Sequence, residues 1–176
     1  MKNRQKRAQR IAFVGISASL ALLLSYVEFL LPPIFVAVPG IKMGLPNVII
    51  LYVLYALDVR YAALVSFVRI CLSSMLFGNT MTFAYSVVGA LLSLLGMLLL
   101  KRLDRLSTVG VSVAGGVLHN LGQVLVAMVL LDTPQIAYYM IVLSVTGILS
   151  GVVIGLCSAA LIKRVPFDRF FYGRGA

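Results

Sequence analysis

The sequence predicts an all-α polytopic membrane protein, a bundle of six transmembrane helices, and three observations carry that prediction. Apolar residues make up 61% of the 176-residue chain and charged residues 11%, with a mean hydropathy of +1.07. One core of this length cannot hide so much apolar surface, so lipid must cover part of it. Six apolar runs follow one another, at 11–31, 45–57, 61–77, 81–100, 109–131 and 136–162. Basic residues gather at alternate breaks between the runs. The length allows a single domain: a basic tail at 1–10, the transmembrane domain at 11–162 and a second basic tail at 163–176.

The first run follows a basic stretch, as in a secretory signal. It has the length of a full span and ends without a small-x-small cleavage site, so it reads as an anchor. The second and third runs are the shortest. Asp58 and Arg60 mark a hydrophilic break between them, and a short span survives inside a bundle where the bilayer thins. The fourth, fifth and sixth runs are each long enough to cross roughly 30 Å of hydrocarbon. Charge placement sets the orientation. Of the 15 Lys and Arg residues, 13 lie in the N-terminal tail, at Arg60, at Lys101, Arg102 and Arg105, or in the C-terminal tail. The opposite loops hold only Lys42. The positive-inside rule then puts both ends in the cytoplasm of a multi-pass protein of the cell membrane. That placement also argues against nucleic acid as the partner of a chain of net charge +10. Cys71 and Cys157 lie inside apolar runs, which suits buried thiols better than a disulfide or metal site. With no Trp present, tyrosines such as Tyr26, Tyr52, Tyr61, Tyr138 and Tyr139 are the expected interfacial anchors.

Three spans carry small residues at helical spacing: Ala8, Ala12, Gly15 and Ser19 in the first; Ser86, Gly89, Ser93 and Gly96 in the fourth; Ser144, Gly147, Gly151, Gly155 and Ser158 in the sixth. Such faces let helix backbones approach closely, within a bundle or against a partner subunit. Arg69 stands midway along the third span, where insertion costs about 2.5–3.5 kcal/mol, so it should face the interior with a partner. Two readings are open: a structural pair with Glu28, or a contact to an anionic group of a substrate. Gly116, His119, Asn120 and Gln123 follow i, i+3, i+4, i+7 along the fifth span. They form either an interhelical hydrogen-bond ladder or the wall of a polar cavity. Before the second span, Pro46 suits a first helical turn whose amides point outward, and Lys42 stands just ahead of it. Together they offer an anion site; the alternative is a tight re-entrant loop with Lys42 snorkelling to the surface.

Several of these residues fall in an ordered set: Pro39-Gly40-Ile41-Lys42-x-Gly44-Leu45-x-Asn47, Arg69, Leu76-Phe77-Gly78, Gly89-Ala90-Leu91-Leu92-Ser93-Leu94, Gly110-Val111-Ser112 and His119-Asn120-x-Gly122-Gln123. Over about residues 10–162, the chain resembles the family called heptaprenyl diphosphate synthase component I, also called the Gx transporter family. That family is similar to the substrate-binding S components of energy-coupling-factor (ECF) transporters of bacterial cell membranes. The resemblance implies a six-helix bundle that captures a small or amphipathic anionic molecule from the outer side. On that reading Lys42, Asn47 and Arg69 are expected to contact anionic groups of the substrate, and His119, Asn120 and Gln123 to line the cavity. It implies docking of an ATPase and a transmembrane coupling subunit on a small-residue motif in the first helix, with Ala8 and Ala12 at the matching positions and Gly15 continuing the candidate docking face. The alternative is a non-catalytic membrane component associated with heptaprenyl diphosphate or isoprenoid quinone synthesis. Prenyl-chain elongation itself needs clustered aspartates to hold magnesium against diphosphate. The four aspartates, Asp58, Asp104, Asp132 and Asp168, are scattered, and no P-loop is present. No catalytic residue, cofactor or metal is therefore expected.

Overall fold

The computed structural model describes residues 2–31 and 42–167, with side chains from residue 4 onward. Pro39, Gly40 and Ile41 of the motif that ends at Asn47, and Arg169 and Arg174 of the C-terminal tail, lie outside the described residues.

Among the described residues six α-helices form: α1 (Lys2–Leu30), α2 (Asn47–Ala56), α3 (Val59–Leu76), α4 (Thr80–Leu103), α5 (Thr108–Leu130) and α6 (Met140–Arg164). Local chemistry sets their ends. The Asp58 carboxylate accepts a hydrogen bond from Val59 N at 2.7 Å, which starts α3 just ahead of its apolar run. Asn79 and Thr82 form a reciprocal capping box at the start of α4. Ser107 Oγ accepts from Gly110 N at 3.2 Å at the start of α5. Pro134 opens a 3₁₀ turn (Pro134–Tyr139), so α6 begins later than the sixth apolar run. The basic stretch at 2–10, expected as a tail, continues α1 as helix, because Lys, Arg, Gln and Ala dominate it and no Pro or Gly interrupts.

Among the described residues, five helical segments are long and apolar enough to cross a membrane: α1, α3, α4, α5 and the 3₁₀ turn with α6. The second span is the exception. At 10 residues, α2 is only about 15 Å long, half a hydrocarbon core. It is sheathed by the other helices, since Ile50, Leu51, Val53 and Leu54 are at most 2% exposed and a helix apolar all round belongs inside, and it still carries the chain back from the Glu28 end of α1 to the Phe13 end. It lies along α1. The Phe13 and Tyr52 rings sit 5.7 Å apart at one end, and Gly44 meets Glu28 at the other. The stretch of α1 between those contacts is roughly 22 Å long at the helical rise. Lys101 Nζ of α4 donates to Leu54 O at 2.6 Å, placing a cation at the negative end of α2. Ser158 Oγ donates to Val48 O at 3.0 Å and ties α6 to the same helix. Tyr52, expected at an interface, is buried and donates its hydroxyl to Val165 O.

The small-residue faces divide into two kinds. Those of α4 and α6 pack against α5. A Cβ on Gly116 would come within 2.5 Å of Gly147 O, and one on Gly151 within 2.6 Å of Val113 Cα. Backbones this close gain dispersion contacts that side chains would block. The α1 face is different. Ala8, Ala12, Gly15 and Ser19 are all exposed, and a Cβ on Gly15 would meet nothing within 4 Å. The face that α1 buries instead is Phe13, Ser17, Ala21, Ser25 and Glu28, which packs toward α2 and α3.

Candidate functional site

Glu28 ends the buried stripe of α1, and its position follows from the roughly four-residue spacing of that stripe. The carboxylate accepts hydrogen bonds from Gly44 N at 2.5 Å and Leu45 N at 3.4 Å. Gly44 has a φ of +85°, which a side chain would strain, and a Cβ there would also run into Asn47 Nδ2 at 2.8 Å. The chain thus turns tightly into α2 with two amides aimed at Glu28. The outward-facing free amides expected at this helix start are absent among the described residues. Asn47 N donates to Gly44 O, Val48 N to Leu45 O, and Ile49 N and Ile50 N to Pro46 O. The anion held at this turn is the chain's own carboxylate.

Gln123 of α5 clips the same segment. Its Oε1 accepts from Lys42 N at 3.0 Å, and its Nε2 donates to Lys42 O at 3.4 Å. The side-chain amide therefore pairs with a backbone residue as a neighbouring strand would. With Oε1 committed to Lys42, Nε2 is also the donor in the 2.6 Å contact to His119 Nε2. The imidazole proton then sits on Nδ1, which rests against Gly89 of α4 without a well-formed hydrogen bond. The Lys42 ammonium is half-buried. Burial lowers its pKa below the ordinary lysine value, Glu28 opposes that shift, and Arg69 adds to it.

Arg69 is 2% exposed. Its Nη1 donates one long hydrogen bond, 3.5 Å, to Ser25 Oγ. Its Nε and Nη2 are buried and have no hydrogen-bond partner among the described residues. Glu28 is close enough to act on Arg69 electrostatically, yet it gives its carboxylate to the Gly44 and Leu45 amides. The direct pair that was one expectation for Arg69 is not made. Nε and Nη2 share one edge of the planar guanidinium, the edge that grips a carboxylate or phosphate with two parallel hydrogen bonds. The lysine, the arginine and the histidine feel one another's fields, so Lys42, Arg69, His119 and Gln123 form one cluster with Glu28 and Ser25.

The remaining candidates divide. Asn47 packs its side chain against Gly44 at the rim of the cluster. Asn120 turns away to α6, where Nδ2 donates to Leu143 O at 2.7 Å and lies against Gly147. The polar face of α5 therefore splits, with Gly116 and Asn120 serving helix packing and His119 and Gln123 serving the cluster. Ser25 and Gly89 were not singled out as partners of Arg69 and His119. The spacing of Ser25 one helical turn before Glu28 was the available signal for the first. Among the described residues, no group of three or more His, Cys, Asp and Glu side chains is placed to hold a metal.

No curated protein and no solved structure matches the chain. A family model does, over residues 17–161, and with most of the sequence covered the chain belongs to the family described as heptaprenyl diphosphate synthase component I.

Proposed function

We propose that this protein is the substrate-binding subunit of a membrane transporter, capturing a small or amphipathic anionic molecule at Arg69. The observation that carries the reading is the Nε/Nη2 edge of a buried arginine, without a hydrogen-bond partner among the described residues, in a bundle of helices long and apolar enough to cross a membrane. An intramembrane arginine is costly to hold, and an anion on that edge would repay the cost. Lys42 supplies a second cation at the rim, and His119 and Gln123 shape the wall beside it. Asn47 and Asn120 act by holding the Gly44 turn and the α5–α6 contact. The clustering of basic residues at the end with both termini supports a cell-membrane protein with cytoplasmic ends. The substrate then enters from the outer side, where Lys42 and Gly44 lie. The exposed Ala8, Ala12 and Gly15 face is a docking surface for the coupling subunit, and a separate ATPase supplies energy.

Purification from native membranes in mild detergent tests this reading. Recovery of an ATPase and a membrane coupling subunit with the wild-type chain, and their loss with Gly15→Leu, is the expected result. Recovery of neither counts against transport. The family description favours a second reading, a non-catalytic component for heptaprenyl diphosphate production, where the anion at Arg69 would be a diphosphate. Removal of the gene separates the two. Transport predicts an uptake defect, whereas the second reading predicts altered prenyl-chain composition with uptake intact.

A further inference from the structure

The donors and charges around Arg69 limit which anion the cluster takes. Among the described residues, the Nε/Nη2 edge offers two parallel hydrogen bonds. The groups beside it are already committed. Ser25 Oγ gives its proton to Ala21 O at 3.0 Å while it accepts from Arg69 Nη1. The Gly44 and Leu45 amides go to Glu28, and Gln123 Nε2 goes to His119 and to Lys42 O.

The positive charge available is bounded from above. Of the 15 Lys and Arg residues, only Lys42 and Arg69 belong to the segments that meet at the cluster. Residues 32–41, which lie outside the described residues, carry no ionisable side chain. The other 13 cations stand at 2–10, at Arg60, at 101–105 or from Lys163 onward. Arg60 opens α3, and Lys101 reaches Leu54 O near the Phe13–Tyr52 contact. Arg169 and Arg174 follow Phe167 in the chain, and the Phe167 ring stands edge-on to Phe13. Phe13 is roughly 22 Å along α1 from Glu28. His119 adds no charge. Gln123 Oε1 is taken by Lys42 N, so Gln123 Nε2 donates to His119 Nε2, and an imidazole that accepts there is neutral. Glu28 acts on both cations and subtracts one charge. The surplus is therefore at most one positive charge. A partner of Lys42, or a further carboxylate, would only lower it.

We propose that the anion held at Arg69 is a monoanionic carboxylate, and not a phosphate monoester or a diphosphate. A carboxylate brings two oxygens to the two donors of the edge and one negative charge to a surplus of at most one. A phosphate monoester carries about −1.5 to −2 charge at neutral pH. It would leave a buried negative charge unpaired, or take up a proton against a second pKa of about 6. At about pH 8 that protonation costs a factor of about 100 in affinity. The inference rests on the reading of Arg69 as an anion contact, and does not depend on transport.

Native mass spectrometry on the full chain in detergent micelles at about pH 8 tests it, where a phosphate monoester is dianionic. Decanoate and decyl phosphate are the matched probes, and decanol is the uncharged comparator. The wild-type chain should retain decanoate about tenfold or more over decyl phosphate, a comparison that needs no variant. Glu28→Gln keeps a carbonyl for the Gly44 turn and raises the surplus by one, so it should move the preference toward decyl phosphate by about tenfold or more. Arg69→Gln should bring both anions down to the level of decanol. Unfolding midpoints measured alongside show that each variant is folded. Wild-type retention of decyl phosphate within about tenfold of decanoate, with both lost in Arg69→Gln, overturns the inference and leaves Arg69 as an anion contact. A preference that Glu28→Gln does not move also overturns it. Both anions retained equally by Arg69→Gln and wild type, or neither retained above decanol by wild type, would remove the anion contact and this inference together.

Discussion

Replacing Glu28 should separate the carboxylate's role as a hydrogen-bond acceptor from its charge. The side chain is 7% exposed and accepts from Gly44 N at 2.5 Å and Leu45 N at 3.4 Å. Glu28→Ala leaves two amides of a buried turn without their acceptor. A buried donor left unsatisfied costs about 1–3 kcal/mol, and the shorter bond carries most of that here, so the expected loss is about 2–4 kcal/mol. Glu28→Gln keeps a carbonyl facing Gly44 and gives up only the charge assistance, for a loss of about 1–2 kcal/mol. Equilibrium unfolding in mixed detergent micelles measures both losses, and hydrogen exchange at Gly44 and Leu45 shows whether the turn itself opens. The alanine variant should be the less stable and should expose both amides to exchange. A loss below about 1 kcal/mol for Glu28→Ala, or unchanged exchange at both amides, would refute the assignment of Glu28 as the anchor of this turn.

Other substitutions probe the neighbouring parts. Gly44→Ala forces a side chain into the left-handed region against Asn47, and should cost about 1–3 kcal/mol by thermal unfolding. Gly151→Val drives a side chain into the Val113 backbone and should lower stability by about 2 kcal/mol or more while splaying α5 from α6. Gly15→Val points into open space and should change stability by less than about 0.5 kcal/mol in the same assay. Lys101→Met removes the cation that caps α2 at Leu54 O and should cost about 1 kcal/mol.

The helices were legible because apolar runs and charged breaks report directly on burial in lipid. The caps at Asp58, Asn79 and Ser107 moved their ends by only a few residues. The second run forms a helix inside the bundle, as a short apolar run can, but composition alone does not show that protein rather than lipid sheathes it: both kinds of helix are apolar on every side. In the structure it is packed against α1, α3 and α6. For the site, residue types were legible and partners were not. Helical spacing put Gly116, His119, Asn120 and Gln123 on one face, yet that face meets two neighbours, and only the packing of α5 decides which residue meets which. The Pro46 turn and Lys42 suggested a place for an anion. The carboxylate that takes the Gly44 and Leu45 amides comes from α1, a long-range pairing that no local pattern encodes. Arg69 was identified by its cost in the membrane; that its bidentate edge lacks a partner among the described residues required the three-dimensional arrangement.

The central claim is that Arg69 holds an anion, and ligand retention tests it most directly. Wild-type protein and Arg69→Gln, purified identically in mild detergent, would be compared by native mass spectrometry, with unfolding midpoints measured alongside to confirm that both are folded. Wild-type protein should carry a small anionic species that Arg69→Gln lacks. The same species on both proteins, at the same occupancy, would contradict the claim.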